Sequence, residues 1–155
     1  SYIMSGVLAD YIDKLKYKDK ILLLEINKGE GLNTRVYEIE DTEIYRFVFK
    51  DSPQKNHIPP YEHTPKRSLK GNNQKIEIGG YGLSCLETQE AAEKFYAYLE
   101  GHCRNMYKIG DSIAKGEIVK NDGVISDADN FKHFDLFEYQ NCDLGCKFVI
   151  VKQMI

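Results

Sequence analysis

The stretch from Gln74 to Gly101 constrains this chain more than any other, because it joins an extended segment to the strongest helix signal through a glycine-rich polar crossing. Thr88 is placed to cap a helix, since its hydroxyl can satisfy an amide that the first turn leaves free, and Glu90 stands at the positive end of the dipole. Ala91, Ala92, Phe95, Tyr96 and Leu99 share one face, and Gly101 is a stop signal, so a helix is predicted at about 89–99. Gly79, Gly80 and Gly82 permit close approach of a ligand or a second backbone, with the Tyr81 and Ser84 hydroxyls beside them.

The segments around this crossing alternate. Thr34 to Ile39 and Thr42 to Lys50 carry Val36, Ile39, Ile44, Phe47 and Phe49 at strand spacing, with Glu40-Asp41 as the turn. Ser112 to Val119, Val124-Ile125, Phe131 to Tyr139 and Phe148 to Ile155 read as further strands, and Lys75 to Ile78 as a short one. Val7, Leu8, Tyr11, Ile12 and Leu15 form the stripe of an amphipathic helix from Met4 to Tyr17. Ile21 to Asn27 reads as a buried strand or a short second helix, which periodicity does not separate, and leans to strand. The expectation is an α+β fold: a curved, mostly antiparallel sheet with an N-terminal helix and one central helix.

At 155 residues without a compositional break, residues 1–155 are expected to form a single globular domain. Asp51 to Asn73 holds all four prolines and little apolar periodicity, the pattern of a long loop that is functional or disordered. The net charge of −3 gives no general attraction to nucleic acid or membranes, and Ile21-Leu-Leu-Leu24, the longest apolar run, is far short of the roughly 20 residues a membrane span needs. A cytoplasmic protein with reduced cysteines is the expectation. Charge is uneven, however: residues 46–75 carry seven basic side chains against two acidic ones, with His57 and His63 among them. An anion would be drawn there.

Arg46 alternates with Ile44 and Val48, so it sits on an apolar strand face and needs an anionic partner. That partner is either an internal carboxylate such as Glu138 or Asp135, or a phosphate or carboxylate of a ligand. Glu138, at the end of an aromatic strand, either faces solvent or works in a pocket. The histidines, and Cys142-x-x-x-Cys146 with His133 upstream, fit no standard metal spacing. Cys85 reads as a buried structural thiol, with a Cys85–His102 nucleophile pair as the alternative.

The order Arg46, a histidine-bearing loop, Tyr81-Gly-Leu-Ser84, Ala91-Ala92, Gly123-Val-Ile125 and His133-Phe-x-Leu-Phe-Glu138 resembles small uncharacterised bacterial proteins of similar element order. More remotely it resembles the ADP-ribosyltransferase-like fold, including the RES-type NAD-processing toxins, over roughly residues 36–140. The late Glu-x-Glu pair of that fold is absent, and Asp135-x-x-Glu138 stands in its place. The resemblance implies an NAD- or nucleotide-processing enzyme with NAD as substrate and no prosthetic group. In it Arg46 would hold the pyrophosphate and Glu138 would stabilise positive charge on the ribose. Tyr81, Ser84, His57 and His133 would contact the ligand. The competing class is a non-catalytic binding module for a small anionic ligand or a partner protein, in the manner of an immunity protein or antitoxin.

Overall fold

The computed structural model describes residues 2–28, 31–63, 78–102 and 105–155. Within them the fold is α+β, built on one eight-stranded antiparallel sheet that does not close. The strands are β1 (Tyr2–Val7), β2 (Arg35–Ile39), β3 (Thr42–Val48), β4 (Leu83–Leu86), β5 (Ser112–Ile118), β6 (Gly123–Ser126), β7 (His133–Glu138) and β8 (Phe148–Gln153). Their spatial order is β1-β2-β6-β7-β4-β3-β5-β8. The α-helices are α1 (Lys18–Lys28), α2 (Pro60–His63) and α3 (Gln89–His102).

Curvature follows from one connection. β2 and β3 succeed each other across the turn at Glu40 and Asp41, yet β6, β7 and β4 lie between them in the sheet. Ile39 of β2 nevertheless packs in one cluster with Ile44 of β3 and Ile118 of β5, so the sheet curls and gains an inner face. Register assigns Ile44, Arg46, Cys85, Ala114, Ile125, Phe134, Leu136 and Glu138 to that face, and Cys142 and Leu144 cover it. The outer face, with Val36, Tyr45, Phe47, Ser84, Leu86, Val124, His133, Asp135 and Phe137, is covered in two halves. Ile21 and Leu24 of α1 with Leu8, Tyr11, Tyr61 and Tyr81 pack on one half, and α3 on the other.

α3 begins as predicted: the Ala91 amide donates to Thr88 Oγ1 at 3.0 Å, and Lys94 pairs with Glu90 one turn earlier at 2.9 Å. It runs to His102, past Gly101, which is exposed and meets nothing that would stop it.

The N-terminal helix lies later than the apolar stripe predicts. Residues 2–7 pair with β2 instead, the Leu8 amide donates to Thr34 O at 2.8 Å, and Leu8–Lys14 winds as a 3-10 segment that buries Leu8 and Tyr11. Long-range ladder bonds override the helical spacing while Leu8, Tyr11 and Leu15 of the same stripe stay buried. The helix is formed by Lys18–Lys28, where a strand was expected. Ile21 and Leu24 are buried three apart and Leu23 is exposed, a helical pattern that the Leu-rich sequence also favours.

Between Leu83 and Leu86, read from sequence as part of the polar crossing, the chain forms β4, an inner strand between β7 and β3. Of the expected strand at Lys75 to Ile78, only Ile78 is among the described residues, and it opens a 3-10 turn to Tyr81. The close approach allowed by the glycines is made by the protein itself. A Cβ on Gly80 would overlap the Tyr61 ring, and one on Gly82 would stand 3.0 Å from Asp135 Cβ.

Candidate functional site

Four of the six residues singled out from the sequence form one connected chain of polar contacts. Tyr45 and Leu86 are the one register pair of β3 and β4, whereas β3 pairs with β5 along its whole length. Toward Val48 and Leu83 the two strands are unpaired, and there the Arg46 guanidinium donates to the backbone carbonyl of Ser84, replacing a ladder bond. Arg46 Nε donates to His57 Nδ1 at 3.1 Å. On the outer face, Ser84 Oγ and His133 Nε2 are 2.6 Å apart.

His57 is placed by the first part of the proline-rich loop. Pro53–Lys55 forms a 3-10 turn, and the Asn56 side chain clamps the end of β3, accepting from the Phe49 amide at 2.7 Å and donating to Phe49 O at 3.4 Å. His57 itself has φ of +59°, a left-handed conformation that costs an ordinary residue about 1–2 kcal/mol. The clamp and the contact with Arg46 hold it there. Burial first, and then the Arg46 charge, push His57 down to about 4, against a smaller opposing pull from Asp143. Near pH 7 the ring is therefore neutral, and because Nδ1 accepts from Arg46 its proton is on Nε2.

On the His57 side of this pair a half-open pocket of about 170 Å³ lies on the inner face, lined by His57, with Arg46 behind that ring and outside the lining. Its floor is Val48, Ala114, Phe148 and Ile150, and its walls are His57, Asn56, Pro53 and Gly145, with Lys50 at the rim. Ala114 is the cross-strand partner of Arg46, and the Phe148 ring stands 4.6 Å from that of His57. Gly116 makes room for Phe148: a Cβ there would stand 2.7 Å from the ring.

Arg46 is 7% exposed, and neither Glu138 nor Asp135 is its ion-pair partner. Asp135 lies on the other face, against Gly79 and Gly82. Glu138 shares the inner face with Arg46 but lies four positions further along β7 and two strands away, on the order of 15 Å by strand geometry. Its carboxylate pairs with Lys16 Nζ at 2.7 Å, and Lys16 also donates to Cys142 O at 2.7 Å. The Cys142 thiol faces the same carboxylate, and burial together with that charge pushes it up to about 12. Tyr81 is also apart from the cluster. It is buried on the outer face, stacked on Tyr17 at 5.9 Å and edge-on to Tyr61 at 5.3 Å. Of the aromatic residues on the strands of Arg46 and Glu138, Phe47 and Phe137 lie on the outer face, and Phe134 is on the inner face with Arg46 and Glu138. Cys85 and His102 do not meet either. The thiol is buried on the inner face and raised to about 11 by burial, whereas His102 is exposed and bonded to Tyr98 O.

The chain matches no protein-family model, no curated protein and no solved structure. Function therefore rests on the geometry of the described residues.

Two residues at these sites escape a reading of the sequence alone. Lys16, in the predicted N-terminal helix, gives no sign that it crosses to β7. Asp129 lies between β6 and β7, outside any strand, yet its Oδ1 accepts from the Phe131 amide at 2.8 Å and the His133 amide at 3.0 Å, and its Oδ2 stands 3.6 Å from His133 Nδ1. The Asp-x-x-x-His spacing was the available signal.

Proposed function

We propose that the protein is a binding module for a small anionic ligand, a carboxylate or phosphate group held beside Arg46. The observation that carries this reading is the state of Arg46. It is a buried guanidinium with no carboxylate partner among the described residues, bonded instead to a neutral imidazole and a peptide carbonyl. A buried charge without a counter-charge is costly, and a ligand anion removes that cost. Lys50 at the rim and the Nε2–H of His57 add donors to an apolar floor, which suits a small acid with an apolar body. At about 170 Å³ the pocket is smaller than the roughly 300–1,000 Å³ typical of drug-sized ligands, so it takes one group of a nucleotide rather than a whole dinucleotide.

The finer reading, cleavage of NAD, draws support from the inner face that Arg46 shares with Glu138. Turnover would require the Glu138 carboxylate to leave Lys16 and approach the pocket.

Thermal shift with inorganic phosphate, acetate, AMP and NAD tests the module, and release of nicotinamide from NAD tests the enzyme. Stabilisation by one of these anions that disappears in Arg46→Lys is expected, because lysine keeps the charge without the planar fork. No shift with any anion, or a shift that survives Arg46→Lys unchanged, overturns the proposal.

A further inference from the structure

The opposite side of β4 carries a second constellation, joined to the Arg46 pair through the Ser84 backbone carbonyl alone. Ser84 on β4 and His133 on β7 are diagonal neighbours on the outer face, which brings Ser84 Oγ to 2.6 Å from His133 Nε2. With the serine hydroxyl donating to Nε2, the ring carries its proton on Nδ1, the nitrogen 3.6 Å from Asp129 Oδ2. Asp129 is fixed by its two amide bonds and by the tight turn that closes on it: its own amide donates to His133 O at 2.9 Å, and the Lys132 amide donates to Asp129 O at 3.0 Å. Both Ser84 and His133 are partly open to solvent.

Next to His133 an aromatic platform runs from Phe95, partly buried against the core, out to the exposed rings of Tyr98 and Phe131. The Phe95 ring is 5.5 Å from that of His133 and 5.0 Å from that of Phe131, and Tyr98 is 4.8 Å from Phe131. Phe131 and Tyr98 are exposed at 39% and 43%. Exposed rings clustered beside a nucleophile–base pair suit an apolar or aromatic substrate group.

We propose that Ser84, His133 and Asp129 form an acyl-transfer triad for an ester whose apolar or aromatic part rests on Phe95, Tyr98 and Phe131. Ser84 is the nucleophile, His133 the general base and Asp129 the positioning residue. Ser84 Oγ adds to the ester carbonyl carbon as its proton passes to His133 Nε2. The tetrahedral adduct then expels the alcohol oxygen, which takes that proton, and the acyl group stays on Ser84. A water molecule, giving a proton to His133, attacks the acyl carbon; the acid departs and the proton returns to Oγ. Burial, and secondarily the Arg46 charge, hold His133 below the usual imidazole range despite the contrary pull of Asp129, so the ring is the free base near neutral pH.

The test uses the whole chain with a fluorophosphonate probe, peptide mapping by mass spectrometry, and hydrolysis of p-nitrophenyl butyrate. An adduct on Ser84 is expected, with hydrolysis falling by at least about 100-fold in Ser84→Ala and in His133→Gln. Asp129→Asn keeps an acceptor for the two amides, so it should slow the reaction about 10- to 1,000-fold and move the acid limb of the pH profile, which a merely structural residue would not do. Ser84→Ala should also retain any phosphate-induced thermal shift, which separates this site from the Arg46 pocket. Probe mass found elsewhere than Ser84, or no adduct at all, overturns the triad even if Ser84→Ala fails to fold; hydrolysis unchanged in a folded Ser84→Ala does the same.

Discussion

Glu138 and Arg46 lie on one face of one sheet, each nearly excluded from water, and the protein treats them differently. The Glu138 carboxylate, its side chain 4% exposed, is met by an ammonium that reaches across from the N-terminal segment. The Arg46 guanidinium is met by a neutral ring and a carbonyl, next to a pocket. Removing one partner of a closed buried pair leaves an uncompensated charge and costs stability. Removing an open charge costs little until something is bound to it. The contrast separates a closed structural pair from an open charge.

The largest effect is expected at Lys16. Lys16→Met strands the Glu138 carboxylate in the sheet interior and should lower stability by about 3 kcal/mol, or roughly 10 °C in Tm for a domain of this size. Phosphate binding, measured as a further thermal shift, should persist in the folded fraction. A change of less than about 1 kcal/mol would mean that the pair is not closed as its geometry implies.

Arg46→Met reverses the pattern. No counter-charge is stranded, only the Ser84 carbonyl and His57 Nδ1 as acceptors, so the unliganded variant should lose about 1–2 kcal/mol, less than Lys16→Met. Its anion response should vanish. A loss as large as that of Lys16→Met, measured by chemical denaturation, would identify Arg46 as a structural keystone and remove the asymmetry.

Protonation probes the same place more gently. The folded-state pKa of His57 lies below its unfolded value, so between the usual imidazole range and about 4 the unfolded chain binds more protons. Stability should therefore fall as pH drops from about 6.5 towards 4, with the stabilising neutral state fully present above that window. His133 is shifted in the same direction and contributes to the same slope. His57→Asn, which tolerates the left-handed backbone and does not titrate, should flatten the slope in part. Equal slopes for wild type and variant would show that His57 is not the group excluded from protonation.

Much of this arrangement was legible in the sequence, and the parts that were not share a physical cause. Alternation located β3, β5 and β7, and with them the strand positions of Arg46 and Glu138; capping chemistry located α3 through Thr88. Those signals are local. The N-terminal stripe of Val7, Leu8, Tyr11 and Leu15 misleads because pairing with β2, 28 to 37 residues away, decides the conformation of residues 2–7. β4 is only four residues long, and its strand character comes from β7 and β3 on either side. The partner of Glu138 could not be read at all: Lys16 is 122 residues distant, and nothing about a lysine announces the carboxylate it will meet. Ser84 and His133 were both singled out, but as ligand contacts. Their register as diagonal neighbours needed the sheet order.

The smallest expected effect sharpens the comparison most, because it asks where an anion arrives. Lys50 is exposed at the rim of the pocket, its ammonium 3.4 Å from the Gln153 amide oxygen, and it closes no ion pair among the described residues. Lys50→Gln should leave stability within about 0.5 kcal/mol of wild type, since an exposed charge without a partner contributes little to folding. Its contribution to a bound phosphate is long-range and screened, so affinity should fall by a factor of about 2–5 at low ionic strength and the difference should shrink as the Debye length drops to roughly 3 Å at 1 M salt. Calorimetric titration of phosphate at two ionic strengths measures both. A salt-sensitive loss in Lys50→Gln beside a salt-insensitive one in Arg46→Lys puts the anion between the rim and the buried guanidinium. If Arg46→Lys abolishes binding while Lys50→Gln has no effect at any salt, the anion reaches Arg46 by another route, and the half-open pocket is not its entrance.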